Sequence, residues 1–122
     1  MELEKFVNNY IKAWSTTKND ERHQLIEKVY SPSASFYANE PEDDAIIHQG
    51  LDKIYENITM VNERLVKGNG LITDLTSYSE NHGTVRVTWQ MKTSDGNPVI
   101  KGMNFLHLDH SNKIERDYIF IN

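Results

Sequence analysis

The hydrophobic period of this chain changes once, at Gly70, and that change limits its possible folds more than any other feature. Before it, Leu3, Phe6, Val7, Tyr10, Ile11 and Trp14 recur at three- and four-residue spacings with polar residues between them, which predicts an amphipathic first helix. Ser15-Thr16-Thr17 breaks the pattern. Asn19 or Asp20 can cap a second helix with the stripe Leu25, Ile26, Val29 and Tyr30, stopped by Ser31-Pro32. A short strand over 34–37, an acidic loop from Glu40 to Asp44 and an extended piece from Ala45 to His48 follow. Gly50 opens a third helix carrying Leu51, Ile54, Tyr55, Ile58 and either Met60 or Val61, then Leu65, and Gly68-Asn69-Gly70 stops it.

Beyond Gly70 the period is two. Strand-like runs over 71–79, 84–93, 98–108 and 113–121 are separated by Gly, Asn, Asp and Ser clusters of hairpin length, so they should pair as an antiparallel meander in sequence order. In the second run Val85, Val87, Trp89 and Met91 share one face, while Arg86, Thr88, Gln90 and Lys92 share the other. In the third, Ile100, Asn104, Leu106 and Leu108 oppose Val99, Met103, Phe105 and His107. In the fourth, Asp117, Ile119 and Ile121 oppose Tyr118 and Phe120. Helices first and strands last is the order of an α+β fold, with three N-terminal helices on one face of a curved, mainly antiparallel sheet. The other face keeps Phe105, Tyr118 and Phe120, an apolar set that predicts a homodimer; the competing reading is a scatter of ordinary surface aromatics.

At 122 residues the chain suits one domain, 1–122. Eighteen acidic against thirteen basic residues give a net charge of −5, which argues against nucleic acid or an anionic membrane as the main partner. With no cysteine, thiol catalysis and Cys-ligated metals are excluded, and a reducing compartment fits. No apolar run follows Met1 and none is long enough to span a bilayer, so the expectation is a cytoplasmic protein without membrane contact. His107, Asp109 and His110 lack a second ligand cluster, and the acidic loop lacks the spacing of a calcium loop. No metal or other cofactor is therefore expected. Asn57-Ile58-Thr59 reads as a chance sequon within a helix.

Tyr-Ser-Pro-Ser-Ala-Ser-Phe at the end of helix two, His-Gln-Gly-Leu-Asp-Lys-Ile at the start of helix three, and Lys-Gly-Met-Asn-Phe-Leu-His-Leu-Asp leading into Asn-Lys-Ile-Glu-Arg carry a resemblance along nearly the whole chain. The chain resembles the nuclear transport factor 2-like (NTF2-like) superfamily, in its SnoaL-like and ketosteroid isomerase-like branch. The resemblance implies a cone of helices and bent sheet with an apolar pocket in its mouth, and frequent dimerisation through the outer sheet face. The activities it implies range from isomerases and polyketide cyclases to non-catalytic binding modules. The isomerase pattern puts its helix-one tyrosine at Tyr10 and its late-strand acid at Asn104. Its base falls near Ala38, where the nearest polar substitutes are Asn39 and Glu40. Some SnoaL-like cyclases place an acid on a late strand, as Asp117 would be.

The candidate catalytic residues are therefore Tyr10, Asn104 and Asp117. Each has a structural reading beside it. Tyr10 can be a core tyrosine, and Asn104 can make a structural hydrogen bond. Asp117 can pair with Lys101 or Arg116 or lie at a wet rim; facing apolar walls instead, it should titrate above its usual range. Trp14, Tyr37, His48, Val87, Trp89 and Met91 are the expected ligand-binding wall, for a small apolar or carbonyl-bearing molecule. Tyr10 and Asn104 are expected at the closed end of the pocket, with Asp117 nearer its mouth. Two functions fit: an isomerase- or cyclase-type enzyme without cofactor, and a binding or dimerisation module without a placed base.

Overall fold

A computed structural model describes residues 1–38 and 46–122. Helix α1 spans Leu3–Ser15 and buries Phe6, Val7, Tyr10 and Ala13, the face its spacing predicts. Helix α2 spans Asn19–Val29 and buries Arg22, Ile26 and Val29. Its cap position is Lys18, with no side-chain cap, so neither Asn19 nor Asp20 caps it; Asn19 Oδ1 instead accepts a hydrogen bond from Arg22 at 2.8 Å.

Strand β1 spans Tyr30–Tyr37, starting four residues before the expected 34–37. Tyr30 therefore leaves the helical stripe and becomes the first strand residue. Pro32 does not end the strand because the pairing with its neighbour shifts register between Tyr30 and Ser35, where a missing N–H costs no ladder bond. Strand β2 is Ile47–Gln49, helix α3 is Leu51–Val61, and a π-helical turn, Asn62–Lys67, continues α3. Then come β3 (Ile72–Asn81), β4 (Thr84–Lys92), β5 (Pro98–Leu108) and β6 (Ile114–Ile121).

The six strands form one sheet in the order β2-β1-β6-β5-β4-β3. Strands β3 to β6 are the antiparallel meander that the short separators dictate. Strand β1 joins it parallel to β6, which is possible because the connection between them is the rest of the chain rather than a hairpin. The sheet curls around the helices without closing. Val85, Val87, Leu106, Leu108 and Ile114 from the sheet pack with Phe6, Val7, Ile26, Ile54 and Ile58 from the helices. On the convex face Phe105 is 37% and Phe120 47% exposed, and Tyr37 stacks on Tyr118 with ring centroids 4.5 Å apart. Among the described residues no helix is long and apolar enough to cross a membrane.

Candidate active site

A cavity of about 320 Å³ opens between the helices and the concave face of the sheet. Its walls are apolar, with Ile11 and Trp14 from α1, Phe36 from β1, Met91 from β4, and Ile100 and Ile119 from the last two strands. Tyr10 and Asn104, both almost fully buried, form its closed end. Arg64 and Ile121 line it and are exposed, so they mark its opening.

Behind the closed end lies Asp117, which has no exposed surface. Its Oδ2 accepts hydrogen bonds from the hydroxyls of Tyr10 at 2.7 Å and Tyr30 at 2.6 Å, and its Oδ1 accepts one from Asn104 Nδ2 at 2.8 Å. Asn104 Oδ1 in turn accepts the indole N–H of Trp89 at 2.8 Å. The register of the sheet builds this chain of bonds. Leu106 pairs with Asp117 and Ile119 with Asn104, so Asn104 and Asp117 are diagonal neighbours; Val87 pairs with Asn104 and Gly102 with Trp89, so Trp89 and Asn104 are diagonal too. Gly102 is needed here. A Cβ on it would stand 2.4 Å from Cζ2 of Trp89, whose ring lies directly over it.

No lysine, arginine or histidine among the described residues pairs with Asp117. Burial therefore pushes its carboxyl up to about 6, and the three donors recover only part of the cost of ionising it. Burial, followed by the carboxylate's negative charge, pushes the Tyr10 and Tyr30 hydroxyls well above the usual phenol range. Among the described residues, the site thus has one group raised to about 6, Asp117, reached from the cavity through Tyr10 and Asn104.

The three catalytic candidates are brought together, but Asp117 is not near the mouth: it is the innermost member, covered by the side chains of Tyr10 from α1 and Tyr30 from the start of β1, whose hydroxyls both donate to it. Lys101 and Arg116 point elsewhere. Of the expected wall, Trp14, Trp89 and Met91 line the cavity. Tyr37, His48 and Val87 do not. Tyr37 is on the convex face against Tyr118, and Val87 is sealed in the core. His48 sits beside Phe36 with ring centroids 6.0 Å apart, and partial burial lowers its pKa. Ala38 lines the cavity, whereas Asn39 and Glu40 lie outside the described residues. Two residues that the sequence did not mark are Tyr30, whose spacing fits the helical stripe, and Arg64, whose exposure on the cavity rim depends on the π-helical turn. No group of three His, Asp or Glu among the described residues could hold a metal ion.

No protein-family model matches the chain, and no curated protein matches it. Solved structures do. A proposed isomerase of the SnoaL-like family from Agrobacterium tumefaciens superposes with a TM-score of 0.78 at 18% identity, covering 97% of this chain and 95% of that one. An NTF2-like protein of unknown function from an Exiguobacterium species gives 0.70 at 18% identity, covering 96% and 98%. A proposed polyketide cyclase from Sinorhizobium meliloti gives 0.66 at 20% identity, covering 95% and 94%. The chain therefore shares the fold of these SnoaL-like, polyketide cyclase and NTF2-like structures.

Proposed function

We propose that the cavity binds a small, mainly apolar molecule bearing a carbonyl group and that its closed end catalyses proton transfer at the carbonyl oxygen, without a cofactor. The observation that carries this reading is Asp117: a carboxyl raised to about 6, in a shell of three hydrogen-bond donors with no cation, directly behind the cavity wall. A fold gains nothing in stability from such a group, and its cost is the kind that functional sites carry. While Asp117 is ionised, Tyr10 donates to it and only the second N–H of Asn104 remains for a ligand. Once Asp117 is protonated, its O–H donates to a tyrosyl oxygen and the Tyr10 hydroxyl is released to donate into the cavity.

The step that follows is enolisation. A proton leaves the α-carbon of the ligand for water, the carbonyl oxygen takes the Tyr10 proton, and Tyr10 takes that of Asp117. Asn104 holds the oxygen as charge develops on it. Reversal returns the proton to Asp117 and a solvent proton to carbon. 2-Tetralone, a bicyclic ketone that fits the cavity's size, tests this in D₂O by mass spectrometry. The protein should speed deuterium uptake by at least about tenfold, general acid catalysis typically giving more. Uptake should be fastest below pH 6 and fall as Asp117 ionises through about 6, and Asp117→Asn and Tyr10→Phe should each remove it. Exchange no faster than in buffer would leave the second reading, a binding module, which Ala38 on the wall favours because no base stands there.

The convex face supports a dimer in the same proposal. Phe105 pairs with Tyr118 and Met103 with Phe120 across β5 and β6, which joins these side chains into one apolar band.

A further inference from the structure

The polar residues lining the cavity fall into two sets. Tyr10, Trp89 and Asn104 belong to the bonded closed end. Asn57, Arg64 and Thr73 make no side-chain hydrogen bond or ion pair among the described residues, and of these Arg64 alone is charged. An arginine on a protein of net charge −5 ordinarily finds a carboxylate; this one has none among the described residues and lines an apolar cavity.

Its position is built, not incidental. The π-helical turn that carries it is tied to α1 by Asn62 Nδ2, which donates to Trp14 O at 2.8 Å. At the other end Asn69 Nδ2 donates to Arg64 O at 2.8 Å, and Gly68 N–H donates to Glu63 O at 2.9 Å, closing the wide turn. Residue 68 must be glycine, since a Cβ there would stand 2.6 Å from Arg64 O. The turn that carries Arg64 is therefore tied at three points, one of them its own carbonyl, while its guanidinium has no partner among the described residues. Wide helical turns of this kind recur at functional sites.

We infer that Arg64 is a carboxylate subsite at the mouth of the cavity, so that the molecule bound is an apolar acid whose anionic end stays at the opening while its body reaches towards Tyr10 and Asn104. This deepens the proposed function and rests on the cavity being a ligand site. A guanidinium presents paired N–H groups that match a carboxylate and remains charged at every working pH, so this preference does not follow the titration of Asp117. At the ~0.74 packing density of protein interiors, the cavity holds a molecule of about 240 Å³ van der Waals volume, enough for a two-ring acid.

The test is isothermal titration with 2-naphthoate and 2-naphthamide, which share shape and differ in charge. The wild-type protein should bind the anion about tenfold more tightly, as a charge-assisted bond at a partly exposed site allows. Arg64→Gln should abolish the difference by weakening the binding of naphthoate more than that of naphthamide, and Arg64→Lys should restore part of it. The ratio should stay constant between pH 5 and 8 and shrink with added salt. Equal wild-type affinities, or a preference that survives Arg64→Gln, would overturn the subsite while leaving the cavity reading intact, which the 2-tetralone exchange tests separately. Failure of both probes to bind would overturn the two together.

Discussion

Asp117 trades stability for a proton. Its carboxyl ionises at about 6 in the folded chain against an ordinary 3.8, so between these values the folded state holds the proton more tightly than the unfolded state. Its contribution to stability is therefore complete below pH 3.8 and is lost as pH rises through 6. By the linkage of about 1.4 kcal/mol per pKa unit, the loss is on the order of 3 kcal/mol. Asp117→Asn removes the ionisation and keeps the shape. The variant should be more stable than wild type in urea at pH 7.5, by up to that amount, and the advantage should vanish at pH 4. A constant difference across this range would show that Asp117 does not titrate as described. Part of this was legible at the residue scale: an acid alternating with Ile119 and Ile121 on one strand already implies a raised pKa. That it has two tyrosines as donors was not, because Tyr30 continues a helical spacing and its placement depends on where α2 gives way to β1.

At the scale of elements, the three helices are joined by a second buried group of the opposite charge. Arg22 on α2 has no exposed surface and, among the described residues, no carboxylate partner. It donates to Thr16 O at 2.6 Å, where α1 ends and carbonyls lack helical partners, to Asn19 Oδ1 at 2.8 Å, and to Thr59 Oγ1 on α3 at 3.2 Å. A cation at a helix C-terminus is also favoured by the helix dipole. Arg22→Met fills similar space but strands those acceptors, so urea unfolding should show a loss of about 2 kcal/mol, within the range typical of leaving buried acceptors unpaired. A loss under about 0.5 kcal/mol, the range of ordinary surface changes, would show that packing alone holds the three helices. The helices and the meander could be read from their periods, 3.6 and 2, because each buries one face. The partner of β1 could not: strand pairing across most of a chain leaves no mark in local spacing, and neither does the passage from α to π geometry at Asn62, where the apolar stripe simply continues to Leu65.

For the whole molecule, the sheet has one face given to the cavity and core and another that water must cover or a partner must bury. Phe105, Tyr118 and Phe120 lie on adjacent strands of that convex face, with Met103 between them and Tyr37 stacked on Tyr118. Burying apolar surface is worth about 25 cal/mol per Å², so the pairing of two such bands across a two-fold axis favours association where scattered aromatics would not. The same two strands supply Asn104 and Asp117 from their inner face, so the proposed dimer would brace the site: strands clamped from outside would hold the diagonal pair in register. Light scattering at micromolar concentration should give twice the 14.2 kDa chain mass. Phe105→Glu with Phe120→Glu places like charges within the band and should return one chain mass, with the helical circular dichroism preserved because neither side chain enters the core. A wild-type protein of single chain mass at these concentrations would refute the dimer. A monomeric double variant that still exchanges 2-tetralone at the full rate would show that each cone works alone and that the outer face serves assembly without bracing the site.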